Sequence, residues 1–553
     1  MSVQATFSAT LVDEWARLGL SDAVICPGSR STPLVVPLAQ RFRTHVRLDE
    51  RSAGFYALGL AKATRRPVVV CVTSGTAAAE LHAAVVEAHH ARVPLIVCTA
   101  DRPPELHHTG ASQTIEQDRL FTVEARWCAD PGVPAGGEEA TWRPLAARAV
   151  AESLFGPDGP GPVHLNLAFR EPLTEDADEL PAHLPVEAVV DGRSADVVPG
   201  RPLEGRGIVI AGGPSFGHAD PASVLGFAAR LGWPVLADPL SGCRVEGTIA
   251  AADAIVRTEP ALPEVVVQLG APWLSKALGE YVAKAASAGA RVVVVDPWRQ
   301  RPDPLRVATE FVHARPDVWL AAAADVGVPA DREWLASWRT MEERAQRALE
   351  ESLSAELTEP AVARMLLRYA ATSGATVVVS PSMPIRDLEW YAPALPVPPR
   401  VLANRGANGI DGVVSTALGV AAADPAGRTI ALLGDLTFLH DVSALVNLPE
   451  VPCTFVVLDN GGGGIFSFLP QATALPRDSF ETLFATPPTS DLPAVARGFG
   501  LPVEEVTTLR ELEPALAAAP RSLTLVHVRV PPRNENVAVH DRINQAVRRA
   551  LSP

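Results

Sequence analysis

The sequence has few of the features that mark secreted, membrane-spanning or disulfide-stabilised proteins. None of its six cysteines forms a CxxC pair, and it lacks an apolar run of the ~18 residues that suggest a membrane-spanning helix. The first residues, MSVQATFSATLVDEW, lack the basic segment and long apolar stretch of a secretory signal. We therefore expect a cytoplasmic protein with no integral membrane segment and with buried, reduced thiols. The cysteines are Cys26, Cys71, Cys98, Cys128, Cys243 and Cys453.

Clusters of basic residues are also missing. The chain has 48 lysines and arginines against 63 aspartates and glutamates, a formal charge of −15, and no Lys/Arg block. This balance argues against nucleic acid or an anionic membrane as a partner. An anionic substrate would need a local group of arginines. The fingerprints GxGxxG and GxxxxGK[ST] are absent as well, which disfavours a dinucleotide-dependent oxidoreductase or a P-loop protein.

What the sequence does contain is a regular alternation of apolar runs and Ala/Leu-rich helical patterns. Its 553 residues are 47% hydrophobic, and at ~100–200 residues per domain they suggest about three domains. The apolar runs are continuous rather than alternating, which is typical of parallel strands buried on both faces. We expect an α/β protein of doubly wound parallel sheets. The predicted strands are 22–26, 66–73, 93–100, 163–168, 207–212, 234–238, 264–270, 291–296, 376–380, 428–435, 454–459 and 523–530.

Two segments interrupt this rhythm. Residues 170–206 are acidic and rich in proline, which predicts a linker, and residues 331–357 form a charged amphipathic pattern that predicts a helix. The predicted domains are therefore 1–175, 195–330 and 350–553.

The most informative stretch begins GDLTFLHD. The apolar run TIALL ends at Gly434-Asp435. The run CTFVVL is followed by Asp459-Asn460 and four glycines, and Asn460 lies 25 positions beyond Asp435. Ligands of parallel sheets bind beyond the carboxyl ends of strands, and aspartate, asparagine and backbone carbonyl oxygens suit Mg²⁺ with phosphate oxygens. A glycine-rich loop with a capping aspartate remains the alternative.

Other polar loops follow the N-terminal strands. PGSRSTPL at 27–34 can bind an anion through a helix N-terminus and Arg30, or can be an ordinary loop with a capping serine. Glu50 begins a strong helical pattern and is either a helix-dipole acid or a desolvated acid that protonates a bound ring. The pairs His89-His90 and His107-His108 suggest a metal, but adjacent side chains point apart on a helix and no third ligand stands at zinc spacing.

Several blocks together resemble one family. CPGSRSTPL, DER, TSGTA, TADRPPEL, GASQ, NRGANGIDG, GDLTFLHD and DNGGGGIF occur in the order found in the menaquinone-pathway 2-succinyl-5-enolpyruvyl-6-hydroxy-3-cyclohexene-1-carboxylate (SEPHCHC) synthase family of thiamine diphosphate enzymes. The resemblance covers the first and third predicted domains closely and the middle one loosely. It implies a pyrimidine-binding first domain, a central α/β domain, and a third domain that binds diphosphate and magnesium.

The resemblance also implies site residues and their roles. Asp435, Asn460 and the Gly462 carbonyl would hold Mg²⁺, for which Mn²⁺ substitutes, on the diphosphate. The cofactor would be lined by Ser382, Gly434, Gly463, Gly464, Ile465 and Phe466, with Ile410 between its rings and Glu50 of a partner subunit on its aminopyrimidine. Substrate carboxylates would bind Arg386 and Arg405, and the second-substrate side would comprise Ser29, Arg30, Arg102, Gln113 and Lys276.

Three positions depart from the family pattern. Asp459 replaces the first asparagine of an NN pair, Pro381 stands where an asparagine is expected, and Ala277 follows Lys276 where a second basic residue is expected. The second asparagine of the pair, the implied metal ligand Asn460, is retained, whereas Pro381 removes an asparagine that could donate to substrate. Lys276 lies in the middle domain, where the resemblance is loose.

The implied activity is a carboligase reaction, in which 2-oxoglutarate is decarboxylated and the succinyl unit is added to isochorismate. The resemblance implies a homodimer or a dimer of dimers with active sites at the interface. The alternatives are another 2-oxoacid decarboxylase or acetohydroxyacid-type carboligase, which the arginines disfavour, and a cofactor-binding protein without catalysis, which intact Glu50, Asp435 and Asn460 disfavour.

Overall fold

Parallel strands and their crossover helices make up most of the computed structural model, which describes residues 2–183, 201–213, 220–298, 300–518 and 522–552. The strands are β1 Asp22–Ile25, β2 Arg43–Val46, β3 Val68–Val72, β4 Leu95–Asp101, β5 Trp127–Ala129, β6 Pro162–Ala168, β7 Gly207–Ala211, β8 Val235–Ala237, β9 Val265–Leu269, β10 Arg291–Val295, β11 Glu310–Val312, β12 Thr376–Val379, β13 Val401–Ala403, β14 Thr429–Gly434, β15 Cys453–Asp459, β16 Val503–Val506 and β17 Thr524–Arg529. The α-helices are α1 Val3–Arg17, α2 Thr32–Arg41, α3 Glu50–Thr64, α4 Thr76–Glu80, α5 His82–Ala91, α6 Glu139–Phe155, α7 Pro221–Leu231, α8 Ala252–Val256, α9 Lys276–Ser287, α10 Pro316–Val326, α11 Arg332–Leu353, α12 Glu359–Ser373, α13 Met383–Tyr391, α14 Val413–Ala423, α15 Asp435–His440, α16 Gln471–Ala474, α17 Arg477–Phe480, α18 Leu492–Gly498, α19 Leu509–Ala518 and α20 Arg533–Leu551.

The chain divides into two compact units. Unit 1 comprises Met1–Asp191, Asn404–Pro425 and His440–Val451, and unit 2 comprises Gly192–Ala403, Ala426–Leu439 and Pro452–Pro553. Unit 1 contains one sheet of order β2-β1-β3-β4-β6-β5. Unit 2 contains a sheet of order β11-β10-β9-β7-β8 and a sheet of order β13-β12-β14-β15-β17-β16. Counted within its own sheet, the first and last of these three have the same strand order.

The continuous apolar runs form the strands as predicted. All twelve predicted strands coincide with β1, β3, β4, β6 to β10, β12, β14, β15 and β17, each within two residues at either end. The additional strands β2, β5, β11, β13 and β16 all lie at sheet edges. Central strands such as β3 and β4 are buried along their whole length, which confirms the predicted class of parallel sheets covered on both faces.

The two predicted interruptions have different outcomes. The predicted helix at 331–357 is α11, which buries Trp334 and Trp338 on its apolar face. Residues 170–183 of the predicted linker contain no helix or strand, and residues 184–200 lie outside the described residues. The boundaries 1–175, 195–330 and 350–553 stay a prediction.

Helices α3 and α14 pack closely inside unit 1, although more than 300 residues separate them in the chain. A Cβ added at Gly59 would lie 2.1 Å from the Thr416 carbonyl oxygen, and one added at Gly419 would lie 2.1 Å from the Tyr56 carbonyl oxygen. Glycine is therefore needed on both helices for this approach. Within the described residues, no helix has the length and hydrophobicity needed to cross a membrane.

Candidate active site

The ends of β14 and β15 in unit 2 place Asp435 beside the glycine loop. The two strands are parallel neighbours with Gly434 opposite Leu458. Both strands therefore end at the same edge of the sheet. The Asp435 carboxylate accepts the N–H of Gly462 and the N–H of Leu436, each at 2.7 Å. Burial raises the pKa of Asp435 to about 6, while these N–H groups act in the opposite direction. The carboxylate group of Asp435 is thus held at the start of the glycine loop.

Asn460 offers a second oxygen at this edge. Its Nδ2 donates to Glu359 Oε1 at 2.8 Å, whereas its buried Oδ1 has no hydrogen-bond partner among the residues that the structure describes. A buried amide oxygen without a partner is costly and calls for a ligand that the protein itself does not supply. A divalent cation suits this oxygen and the Asp435 carboxylate, since Mg²⁺ prefers such oxygen ligands.

The glycine run forms a backbone cradle that has no room for side chains. Gly462 has φ +127°, and a Cβ there would lie 2.3 Å from the Ala485 carbonyl oxygen. The carbonyl of Gly462 accepts the N–H of Gly464 at 2.8 Å and retains a second lone pair for a metal. Gly464 begins the short 3₁₀ turn Gly464–Phe468, which contains Ile465 and Phe466. The Phe466 ring packs against Phe484 with ring centroids 5.7 Å apart.

The aspartate that departs from the family pattern has a structural partner. Asp459 Oδ2 lies 2.8 Å from His527 Nε2 on the neighbouring strand β17. This hydrogen bond, with the charge on His527, lowers the pKa of Asp459. Asp459 is therefore paired within the sheet, which leaves Asn460 as the candidate metal ligand at the end of β15.

Ser382 and Arg386 follow the end of β12 in unit 2. Ser382 has φ +71°, a rare conformation for a residue with a side chain, and precedes α13. Its carbonyl oxygen accepts Arg386 Nη1 at 2.7 Å. Strained backbone of this kind costs about 1–3 kcal/mol and concentrates at functional sites. Pro381 stands before it in the turn, so the chain there has no N–H to donate.

A cluster of buried polar residues next to Asn460 was not predicted from the sequence. Burial and the nearby Asp387 charge raise the pKa of Glu359 to about 8. Asp387 Oδ1 lies 3.1 Å from His540 Nε2, and the Tyr391 hydroxyl lies 2.9 Å from His540 Nδ1. These residues come from α12, α13 and α20, so no local motif unites them. They form the polar support of the candidate metal ligand.

Glu50 occupies the first position of α3 in unit 1. The helix is capped by Asp49, whose side chain accepts the N–H of Ser52 at 2.9 Å. Partial burial raises the pKa of Glu50, with a smaller contribution in the same direction from the Asp49 charge. Its carboxyl group therefore holds a proton more readily than an exposed glutamate does.

The predicted second-substrate residues of the N-terminal loops gather at the carboxyl edge of the unit 1 sheet. Arg30 is buried and donates to the Phe169 carbonyl oxygen at 2.9 Å. Burial lowers the pKa of Arg30, and the charge of Arg102 lowers it further, so the two cations lie close enough to repel. Gln113 has φ +55° and its Cα would lie 3.2 Å from a Cβ at Gly75. Ser29 is exposed in the same loop as Arg30.

A second glutamine of this region anchors the loop. Gln117 is fully buried, accepts the N–H of Gly75 at 2.7 Å and donates to Asn166 Oδ1 at 3.1 Å. Asn166 donates in turn to Asp101 Oδ2 at 2.9 Å. The sequence signal for this role is the second glutamine of GASQTIEQ.

Arg405 and Ile410 belong to unit 1 and lie in the segment that leads into α14. Both are partly buried. The segment ends at Gly412, where a Cβ would lie 1.9 Å from the Phe55 ring of α3. The same helix therefore supports this segment and begins with Glu50.

Lys276 is the first residue of α9 in unit 2. Its side chain is 90% exposed and its Nζ lies 3.6 Å from Glu280 Oε1, one turn along the helix. The preceding loop is tied to α13 because Leu274 N–H donates to Glu389 Oε2 at 3.0 Å. The described contacts of Lys276 itself involve none of the other predicted site residues.

Known proteins with matching sequence profiles and a similar fold identify the class of this chain. The sequence profile described as the N-terminal TPP binding domain of thiamine pyrophosphate enzymes matches residues 5–120, a middle-domain profile of these proteins matches 201–377, and their C-terminal TPP binding domain matches 389–528. A crystal structure of benzoylformate decarboxylase from Polynucleobacter necessarius is similar in fold, with TM-score 0.70 and 18% identity over 95% of this chain and 98% of that one. The chain is thus a protein of the thiamine pyrophosphate enzyme class.

Relatives with higher sequence identity identify the family within this class. Proteins named 2-succinyl-5-enolpyruvyl-6-hydroxy-3-cyclohexene-1-carboxylate synthase match from Myxococcus xanthus, at 40% identity over 98% of this chain and 97% of the relative, and from Thermobifida fusca, at 41% over 100% and 99%. This chain belongs to the SEPHCHC synthase family.

Proposed function

We propose that this chain decarboxylates 2-oxoglutarate and adds the succinyl unit to isochorismate, giving SEPHCHC and carbon dioxide in menaquinone biosynthesis. Membership of the family supports the reaction. The observation that carries the site is the Oδ1 of Asn460, which has no hydrogen-bond partner within the described part of the chain, at the sheet edge where β14 leads to the buried Asp435. A divalent metal is the ligand that this donor set accommodates.

The residues of unit 2 would hold the diphosphate and its metal. Bound thiamine diphosphate supplies an electron sink for decarboxylation and carbon–carbon bond formation. Asp435, Asn460 and the Gly462 carbonyl would bind Mg²⁺, or Mn²⁺ in its place. The glycine run presents backbone without side chains beside Asp435, which admits a close approach of phosphate oxygens. The lining residues in the proposal are Ser382, Gly434, Gly463, Gly464, Ile465 and Phe466, with Ile410 against the rings.

Glu50 would hold a proton at the aminopyrimidine ring. The raised pKa of its carboxyl group favours sharing that proton with a ring nitrogen, which is the task of a general acid–base residue. In the proposal, Glu50 serves the cofactor of a second copy of the chain, in a homodimer or a dimer of dimers. Sedimentation velocity would test this: a monomer at assay concentration would contradict it.

The arginines would recognise the two anionic substrates. Arg386 and Arg405 would bind the carboxylates of 2-oxoglutarate, since a guanidinium group matches a carboxylate with two parallel hydrogen bonds. Arg30 and Arg102 would face isochorismate together with Ser29, Gln113 and Lys276. The nearness of Arg102 to Arg30 supports this, because it places two cations at one sheet edge, where Arg30 also pairs with Glu171 at 3.2 Å.

The domain roles and the location of the protein complete the proposal. Residues 1–175 would bind the pyrimidine, 350–553 the diphosphate and metal, and 195–330 would be the central domain. We place the protein in the cytoplasm, because all six cysteines are free, as in a reducing compartment. Cell fractionation would test the location.

The test is a reconstitution with thiamine diphosphate, Mg²⁺, 2-oxoglutarate and isochorismate. We expect loss of isochorismate that needs all four components, and a product with the mass of both substrates minus carbon dioxide. Asp435→Asn should abolish the reaction, whereas Asp424→Asn, at an exposed position, should not. If the protein binds the cofactor and decarboxylates 2-oxoglutarate but leaves isochorismate unchanged, the acceptor is wrong. Product analysis with pyruvate would then test the acetohydroxyacid-type alternative.

A further inference from the structure

A buried ion pair in unit 1 has no role in the site as described so far. Lys62 near the end of α3 and Glu87 on α5 lie with Nζ and Oε1 3.3 Å apart, and their side chains are only 8% and 3% exposed. Burial lowers the pKa of Lys62, against the opposing effect of Glu87. The desolvation of two charges can cancel their attraction, so a buried pair is weak evidence for a stabilising purpose. Its contacts indicate another one.

Glu87 binds the backbone on the far side of Arg405. Its Oε1 accepts the N–H of Gly406 at 2.9 Å and its Oε2 accepts the N–H of Ala407 at 2.6 Å. Both carboxylate oxygens are thus used on two successive backbone donors. Hydrogen bonds to an ionised acceptor are stronger than those between neutral groups, so this contact fixes the path of the chain just after Arg405.

Lys62 binds the residue on the near side of Arg405. Its Nζ donates to Asn404 Oδ1 at 2.8 Å, and Asn404 Nδ2 donates to Thr416 Oγ1 on α14 at 2.9 Å. The loop is therefore held at residue 404 by the cation and at residues 406 and 407 by the anion. Arg405 is the residue between these two attachments.

The loop also lies directly on α5. A Cβ at Gly406 would be 2.5 Å from the Glu87 carbonyl oxygen and 2.6 Å from the Ala91 nitrogen. Only glycine fits there, so the contact between loop and helix is part of the fold and not an accident of a flexible side chain.

We propose that the Lys62–Glu87 pair is a positioning device for Arg405, which sets the guanidinium group where it receives a carboxylate of the 2-oxoacid substrate. This inference rests on the proposed function, because it assigns Arg405 to that carboxylate. The pair also has an electrostatic purpose. A lone carboxylate bound to the backbone of residues 406 and 407 would disfavour an anionic substrate at the neighbouring Arg405, and Lys62 neutralises it where solvent cannot.

The test compares Glu87→Gln with a buried ion pair elsewhere in unit 1. A glutamine amide keeps the size of Glu87 but accepts with only one of its two end atoms, so one of the two loop bonds is lost. Arg143→Met is the matched control. Arg143 is also buried and bonded to Asp13 and Glu14, at 2.8 and 2.7 Å, and it does not contact the Arg405 loop in the described contacts.

We expect Glu87→Gln to raise the KM for 2-oxoglutarate by roughly ten- to a hundredfold, because small misplacements of a binding group have effects of this size. The KM for isochorismate and the affinity for thiamine diphosphate should stay within about twofold. Hydrogen exchange should show lost protection at the amides of residues 406 and 407. Arg143→Met should lower the unfolding temperature and leave the KM and these amides unchanged.

A double variant separates positioning from stability. Lys62→Met with Glu87→Gln removes both buried charges, and should recover unfolding temperature relative to Glu87→Gln alone. It should still have the raised KM, since the loop remains released. A folded Glu87→Gln protein with wild-type KM and wild-type protection would overturn the proposal, as would an equal rise of KM in Arg143→Met.

Failure of the proposed function would be recognised separately. In that case the wild-type protein itself would not turn over 2-oxoglutarate under any condition. Amide exchange at residues 406 and 407 would still decide the structural part: selective loss of protection in Glu87→Gln supports the positioning role, and equal protection in both proteins overturns it.

Discussion

Glu359 and Asn460 are joined by a hydrogen bond of 2.8 Å between the Oε1 of one and the Nδ2 of the other, across a separation of 101 residues in the chain. The bond fixes which end of the Asn460 amide faces the protein interior. The nitrogen is thereby assigned to Glu359, and the amide oxygen is left for another ligand. Partners that orient metal ligands in this way commonly affect metal affinity by about 10–100-fold.

Removing this acceptor should weaken metal binding. We expect Glu359→Leu to reduce Mg²⁺-dependent affinity for thiamine diphosphate by roughly 10–100-fold, since the Asn460 amide is no longer oriented. Glu359→Gln keeps an acceptor oxygen at the same position and should bind within a few-fold of wild type. Calorimetric titration measures both. Equal affinity in Glu359→Leu and wild type would show that Asn460 needs no such support.

Glu50→Gln should abolish turnover and leave the fold intact. The amide has the shape of the glutamate but cannot share a proton with a ring nitrogen, which is the proposed task. Steady-state turnover and thermal unfolding are the measurements. The matched control is Glu80→Gln. Glu80 is exposed, and its charge raises the pKa of Glu50. This variant should retain activity. Wild-type activity in Glu50→Gln would disprove the assignment.

Exchanging Arg386 or Arg405, the proposed carboxylate ligands, for lysine should raise the KM for 2-oxoglutarate. Arg386 already uses one donor on the Ser382 carbonyl, and lysine cannot make that bond and also pair with a carboxylate through a planar fork. We expect an increase of about tenfold or more for Arg386→Lys and for Arg405→Lys, on the scale of one lost charged hydrogen bond. If neither KM changes in steady-state assays, these residues do not bind the carboxylates.

Substitution of Gly462 should prevent cofactor binding. Alanine there meets the Ala485 carbonyl oxygen at 2.3 Å in addition to the strain of φ +127°. Gly500 also has positive φ, at +85°, but nothing lies within 4 Å of an added Cβ. Gly500→Ala should therefore destabilise the fold by only about 1–2 kcal/mol and keep full cofactor affinity. Similar cofactor affinities in the two variants would contradict the cradle.

The buried His164 should make the protein less stable in mild acid. Burial lowers its pKa to about 4 from 6.5, so between these pH values the unfolded chain binds a proton that the folded chain does not. The stability from this group is complete above pH 6.5 and is lost as pH falls towards 4. The full effect is about 3 kcal/mol, at 1.4 kcal/mol per pKa unit.

His164→Gln should reduce the pH dependence of the free energy of unfolding, measured with urea between pH 7 and 4. The reduction should correspond to the uptake of about one proton on unfolding. The exposed His108, changed to glutamine, is the control and should retain the wild-type slope. Parallel profiles for wild type and His164→Gln would mean that His164 does not stay neutral in the folded protein.

The sequence predicted central strands well and edge strands poorly, for a physical reason. A strand covered on both faces must be apolar at every position, as in VVVCV of β3, and that pattern is visible without a structure. The edge strand β16 reads VEEV and is largely exposed along its middle, and β11 has only three residues, all partly buried. Their strand conformation comes from pairing with a neighbour.

The site shows the same division. Asp435, Asn460 and Glu50 stand in short local motifs at strand ends or at the start of a helix, so sequence alone could single them out. Glu359, His540 and Glu87 act through partners that are distant in the chain, and nothing near them in sequence marks the contact. Such residues emerge only when the fold brings their helices together.

The discontinuity of unit 1 has a consequence for how the protein is made. On the ribosome, residues 1–191 emerge first, but α14, which covers α3, follows only after residue 413. At about 5–20 residues per second, the nascent N-terminal sheet waits roughly ten seconds or more with Gly59 and its apolar neighbours uncovered. Translation speed and early chain termination therefore matter for this protein, because a product that stops before α14 exposes a helix face that the finished chain hides.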